Sequence, residues 1–155
     1  MYPLLRDGDD VLVMHGRGSV RRGDIVVFQQ PGRLIAHRVV RISGTDVAPI
    51  FVTKGDNTLH FDPPMGRDRM IGRVVAIQRG HRHLSLQTPA WRLMGWLIAI
   101  SALPWQPVDR WYHALKHRFV SAWGNRLTAF LRQCLLAFCS CIRRAIQLTC
   151  CRWEA

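Results

Sequence analysis

Short apolar runs rich in valine and isoleucine alternate with turn formers over the first 87 residues. The runs are Val11–Met14, Asp24–Gln29, Leu34–Ile42, Ile50–Thr53, Ile71–Gln78 and His83–Leu86. Asp7-Gly8-Asp9, Arg22-Gly23-Asp24, Pro31-Gly32, Ser43-Gly44 and Lys54-Gly55-Asp56 fall between or beside them. β-Branched residues at the centre of each run suit a pleated, buried surface, and the punctuation suits turns. Six strands at this spacing predict a small coiled β-barrel. After Gln87 the period changes. Trp91–Leu103 is an apolar stretch with Arg92 near its start and is closed by Pro104 and Pro107. It falls short of the roughly 20 residues a spanning helix needs, so a buried or an interfacial helix is expected. From Asp109, a suitable N-cap, to about Cys151 the apolar positions recur every three or four residues. Leu115, Phe119, Trp123, Leu127, Leu131, Leu135, Phe138, Ile142 and Ile146 form one stripe, with a possible break at Gly124. The chain therefore divides into a β domain, 1–87, and an apolar segment plus basic amphipathic helical region, 88–155. The fold class is mainly β followed by C-terminal α-helices.

Composition sharpens this picture. At 155 residues, 48% apolar and 21% charged, the chain holds one packed domain and an appendage rather than a disordered polymer. Lys+Arg number 22 against 10 Asp+Glu, a net charge of +12 carried almost wholly by arginine. Such a surface favours polyanions. Lys116, Arg126, Arg132, Arg143 and Arg144 lie off the stripe of residues 109–151, so that helix either packs on the β domain or a partner, or rests on an anionic membrane surface. Trp91, Trp96, Trp105, Trp111 and Trp123 suit the interface of the second case. Nucleic acid is a weaker partner: the charges follow a helical face and no binding motif appears. No apolar run is long enough to span a bilayer, and Arg6, Asp7, Asp9 and Asp10 leave no signal peptide in the opening residues. Cys134, Cys139, Cys141, Cys150 and Cys151 are odd in number and contain no C-x-x-C pair, with no histidine beyond His117, so neither a metal nor another cofactor is expected.

Candidate chemistry lies in the first half. His15, His37 and His60 precede residue 61, and His37 sits in the Leu34–Val40 run, which is otherwise rich in apolar residues. A histidine in a strand is more often a satisfied side chain than a base. Downstream, Thr53-Lys54-Gly55-Asp56-Asn57 follows a strand, and Asp62 precedes Pro63-Pro64. Proline restricts the residue before it to extended or turn conformations, so the Asp62 carboxylate is held in place. A fixed carboxylate near a strand-borne histidine is what the base of a catalytic triad needs.

Met1-Tyr2-Pro3-Leu4-Leu5-Arg6-Asp7-Gly8-Asp9-Asp10-Val11-Leu12-Val13 resembles the first box of the signal peptidase I superfamily, the S24/S26-type serine peptidases. Arg22–Phe28 looks like the next box, Ile35-Ala36-His37-Arg38-Val39-Val40 the segment carrying the base, and Phe51–Asn57 with Asp62 and Ile71–Val75 the last ones. His37-Arg38-Val39 is similar to the histidine-base variant of archaea and the endoplasmic reticulum rather than to the lysine-base one. The resemblance implies a serine endopeptidase that processes exported proteins. His37 would be general base, Asp62 would orient it and Asp56 would support the site, with Met1 and Pro3 binding substrate. Lys54 would structure its turn. An extended polypeptide would add beside an edge strand, no cofactor would be needed, and the site would face the extracytoplasmic side of a membrane. The family's nucleophilic serine stands directly before the methionine of the first box, here Met1. Either the polypeptide starts upstream, taking its nucleophile and any membrane anchor with it, or the chain is an inactive peptide-binding relative. Ser19 would need a different architecture to take that role.

Overall fold

The computed structural model describes residues 1, 4–16, 18–58, 60–103, 137 and 141. Seven strands and one long helix occupy them: β1 Asp10–His15, β2 Ile25–Gln30, β3 Arg33–Gly44, β4 Pro49–Lys54, β5 Met65–Gly66, β6 Met70–Arg79, β7 Arg82–Ser85 and α1 Pro89–Ala102. The six β-rich runs of the sequence are six of these strands. All pairings are antiparallel and belong to one sheet, in the order β1-β6-β2-β3-β4-β5. β6 divides one of its edges between two partners, β2 along its first half and β7 along its second. Register shifts at Leu12/Val13, Val27/Phe28 and Val39/Arg41 bend the strands.

The sheet is strongly bent but not closed, which corrects the expected barrel. The path ends at β1 and at β5, and these do not pair. β5 has two residues and follows Pro63-Pro64. Two prolines supply no ladder N–H, so no full strand is available to complete a circuit.

Both faces of the sheet are covered, which explains why Ile25–Phe28 of β2 is apolar and buried at every position. One cluster joins Leu4, Ile25, Val27, Val74, Ile77 and Leu84, with Ala36 and Trp91 packed against it. The other joins Val26, Phe28, Val39, Phe51 and Met65. The N-terminal segment is pinned to β6 by Arg79, whose Nε and Nη2 donate to Asp9 at 2.6 Å each and whose Nη2 also donates to Leu4 O at 3.0 Å. That hydrogen bonding holds the Asp9 carboxyl below its ordinary pKa, against the opposing effect of burial.

α1 opens with Thr88 as N-cap, its hydroxyl accepting from Trp91 N at 3.4 Å, and with proline in the first turn. Met94, Gly95, Ile98 and Ala99 are buried, whereas Leu93, Trp96 and Leu97 are exposed. The Trp91–Leu103 segment thus has one buried apolar side and one open one. Among the described residues no helix is long and apolar enough to cross a membrane. The helical stripe expected over residues 109–151 lies outside the described residues, as do all the cysteines but Cys141, which is exposed.

Candidate active site

Strand alternation places neighbouring residues of β3 on opposite faces of the sheet. His37 lies opposite Val26 of β2, on the side of the second cluster, and its ring meets the edge of Phe28 at 5.9 Å. Arg38 points the other way.

On the His37 face, Nδ1 is 2.6 Å from Asp62 Oδ2. The same carboxylate oxygen accepts from Thr53 Oγ1 at 2.6 Å. Thr53 is fully buried and sits opposite Val39 in the β3–β4 register, so its hydroxyl is fixed by the ladder itself. The Asp62 backbone is held too, its N–H donating to Thr53 O at 2.9 Å. With the carboxylate ionised, Nδ1–H of His37 donates to it. That selects the tautomer in which Nε2 carries a lone pair. His37 and Asp62 side chains are 20% and 16% exposed, enough for a substrate group to reach them.

Nε2 makes no hydrogen bond to the described residues, and it faces Gly55. A Cβ at Gly55 would stand 2.9 Å from Nε2 and 3.1 Å from both Thr58 Oγ1 and Cγ2. The Gly55 backbone is not in the left-handed region, so glycine is required here for space. The Thr58 hydroxyl is turned to backbone, on Gly55 O at 3.1 Å and His60 O at 3.2 Å.

On the opposite face Arg38 is 3% exposed and Asp56 5%. Arg38 Nε and Nη2 donate to the two carboxylate oxygens of Asp56 at 3.0 and 2.8 Å, a bidentate buried pair. Nη1 donates to Gly23 O at 2.8 Å. The Lys54 side chain is buried as well, its Nζ 3.5 Å from Gly55 O and 5.9 Å from the centre of the Phe61 ring.

The structure therefore brings His37 and Asp62 together and turns Asp56 to Arg38 instead of to the histidine. Met1 packs on the first cluster, with Ala36, and Pro3 lies outside the described residues. Ser19 is exposed in a segment without regular structure, and His15 is exposed on β1. Thr53 is the member of this hydrogen-bonded cluster that the sequence pattern hides, because a threonine in an apolar run reads simply as a good strand former. Among the described residues no cluster of three or more His, Cys, Asp or Glu is arranged to hold a metal ion.

No family model matches the chain, and no solved structure matches it. Among curated proteins the chain is similar to the signal peptidase complex catalytic subunit SEC11 of Yarrowia lipolytica (strain CLIB 122 / E 150), at 33% identity over 88 residues. The match takes in 52% of this chain and 51% of that protein, so the chain spans about half the length of the curated relative it matches. That similarity supports a relationship of the signal peptidase I type.

Proposed function

We propose that this chain carries the base of a signal-peptidase-type serine endopeptidase, acting on extended segments of exported polypeptides. The 2.6 Å contact between His37 Nδ1 and Asp62, with Nε2 lying against Gly55, is the observation that carries this reading. The likeness to SEC11 supports it at the level of the family. A serine directly preceding Met1 in the polypeptide would be the nucleophile. Its Oγ attacks the scissile carbonyl carbon while Nε2 takes its proton. Collapse breaks the C–N bond, and the imidazolium returns the proton to the leaving amine. Water, activated by the same nitrogen, then releases the acyl group. Asp62 holds the tautomer and stabilises the imidazolium, Thr53 fixes Asp62, and Asp56 supports the site by way of Arg38.

Among the described residues β1 has a ladder partner on one side only, and it exposes Val11, Leu12 and Met14, which suits pairing with an extended peptide. For attachment to an anionic membrane we assign residues 109–151, helped by the outward Leu93, Trp96 and Leu97 of α1, with the site on the extracytoplasmic side.

The test begins with the N-terminal sequence and intact mass of the product made by its native cell. The chain extended by serine is then assayed on a secretory precursor. His37→Ala should lower cleavage by about 10²–10⁴-fold, the usual contribution of a positioned base, and Asp62→Asn should lower it strongly. Undiminished cleavage in either variant removes that residue from the mechanism. A native product that begins at Met1, inert toward the precursor but able to bind it, would make this a peptide-binding relative.

A further inference from the structure

α1 meets the sheet where the buried ion pair lies, and the contact is made by two glycines. A Cβ on Gly23 would stand 2.5 Å from Gly95 C and Trp96 N, and a Cβ on Gly95 would stand 2.7 Å from Gly23 O and 3.3 Å from Arg38 Nη1. Gly23 also has φ +96°, a conformation that L side chains rarely adopt. Helix backbone thus rests directly on the carbonyl that accepts from Arg38. Trp91, Met94 and Ile98 line the same crevice, which has a volume of about 20 Å³, room for a single water at most.

From there a series of direct contacts leads to the histidine. Arg38 holds Asp56 by two hydrogen bonds, Asp56 is the neighbour of Gly55, and Gly55 leaves the space that His37 Nε2 occupies. We infer that Gly95 is a positioning residue for His37: by seating α1 on Gly23 and Arg38 it fixes Asp56, and through Asp56 the Gly55 backbone beneath Nε2. The helix that leads out of the β domain is then part of what orders the site, although it touches neither His37 nor Asp62. The inference rests on reading His37 and Asp62 as a base dyad.

A side chain at Gly95 cannot be absorbed by a flexible neighbour, since the first atom it meets is the Gly23 carbonyl. Gly95→Leu should lift α1, admit water to Arg38 and loosen the loop that carries Gly55. The readout is the His37 Nδ1 proton, followed by NMR in the full chain through its ¹⁵N shift and its exchange with water. In Gly95→Leu that proton should exchange at least tenfold faster, with the strand amides still protected. Ala90→Gln, at an exposed position in the first turn of α1, should leave it unchanged. Should Gly95→Leu fail to fold, Gly95→Ala carries the test in the same direction with a smaller effect. A folded variant whose α1 amides have lost protection, but whose His37 proton exchanges at the parental rate, overturns the inference. The readout does not depend on cleavage. An extended chain that cleaves nothing, yet shows the expected exchange, would refute the peptidase reading and keep the coupling. The opposite pattern would do the reverse.

Discussion

Replacing Asp56 by leucine tests whether the Arg38 pair is sealed from water. The guanidinium donates three hydrogen bonds, two to Asp56 and one to Gly23 O, and Arg38 is 3% exposed. Asp56→Leu leaves a cation with one carbonyl beneath α1. Breaking a buried pair by removing one partner costs about 3–5 kcal/mol, since the remaining charge keeps its full desolvation penalty. Against the 5–15 kcal/mol or so that holds a domain together, this is a large share. At a few degrees per kcal/mol, Tm should fall by on the order of 10–20 °C. Urea unfolding followed by circular dichroism measures the loss, and an unchanged m-value shows that the same surface is exposed. Arg38→Met combined with Asp56→Leu should recover more than half of it, because two apolar groups of similar volume remove the orphaned charge. A single-variant loss under about 1 kcal/mol would mean that Arg38 reaches water in the folded protein, and the argument from burial would fail. A double variant no better than the single would assign the cost to shape instead of charge.

Two further outcomes follow from local geometry. Asp9 has its pKa lowered chiefly by its hydrogen bond to Arg79, so its contribution to stability is present above the ordinary value of 3.8 and is lost as pH falls through the folded-state value. Asp9→Asn should accordingly be less stable than the parent near pH 6, with the two curves converging in acid, whereas parallel stability curves between pH 6 and pH 2 would dismiss the linkage. Gly55→Ala adds one methyl 2.9 Å from His37 Nε2 without backbone strain, so it should displace the ring and lower cleavage by the serine-extended chain at least tenfold, while thermal stability changes little. Unaltered His37 NMR shifts in that variant would show that Nε2 does not occupy the space over Gly55.

The strands were legible because their apolar runs are several residues long and carry a period. β5 was not, since two residues, Met65 and Gly66, have no period to show. Closure was misread for a related reason. Strand count suggests a barrel, but closing one depends on which edges meet, and that is settled by the short β5 after Pro63-Pro64. His37 stood out as a polar residue in an apolar run, and Asp62 through the prolines after it. Asp56 was expected to support the site, and its carboxylate is held by Arg38 on the other face. The signal was present in the sequence: an arginine at the buried centre of a strand requires an acid, and alternation forbids it from sharing the acid of its neighbour His37.

The placement of both acids on one short loop has a mechanical consequence. Residues 55–62 leave β4, give Asp56 to one face of β3 and, after the Lys54–Phe61 bridge, give Asp62 to the other. Polar contacts hold the described residues of this loop: Arg38 with Asp56, Thr58 N on Gly55 O at 3.2 Å, and Asp62 N on Thr53 O at 2.9 Å. A buried ion pair is weak evidence for net stability, since an apolar pair of the same volume serves as well or better. What it supplies is direction. The bidentate fork allows one orientation of Asp56, whereas apolar packing tolerates sliding. A base must be held within about 0.5 Å of its productive position. Apolar replacement of Arg38 and Asp56 should therefore return much of the stability that the single variant loses and still leave His37 poorly placed. The stability of the fold and the order of the site are separable quantities here, and the buried pair serves chiefly the second.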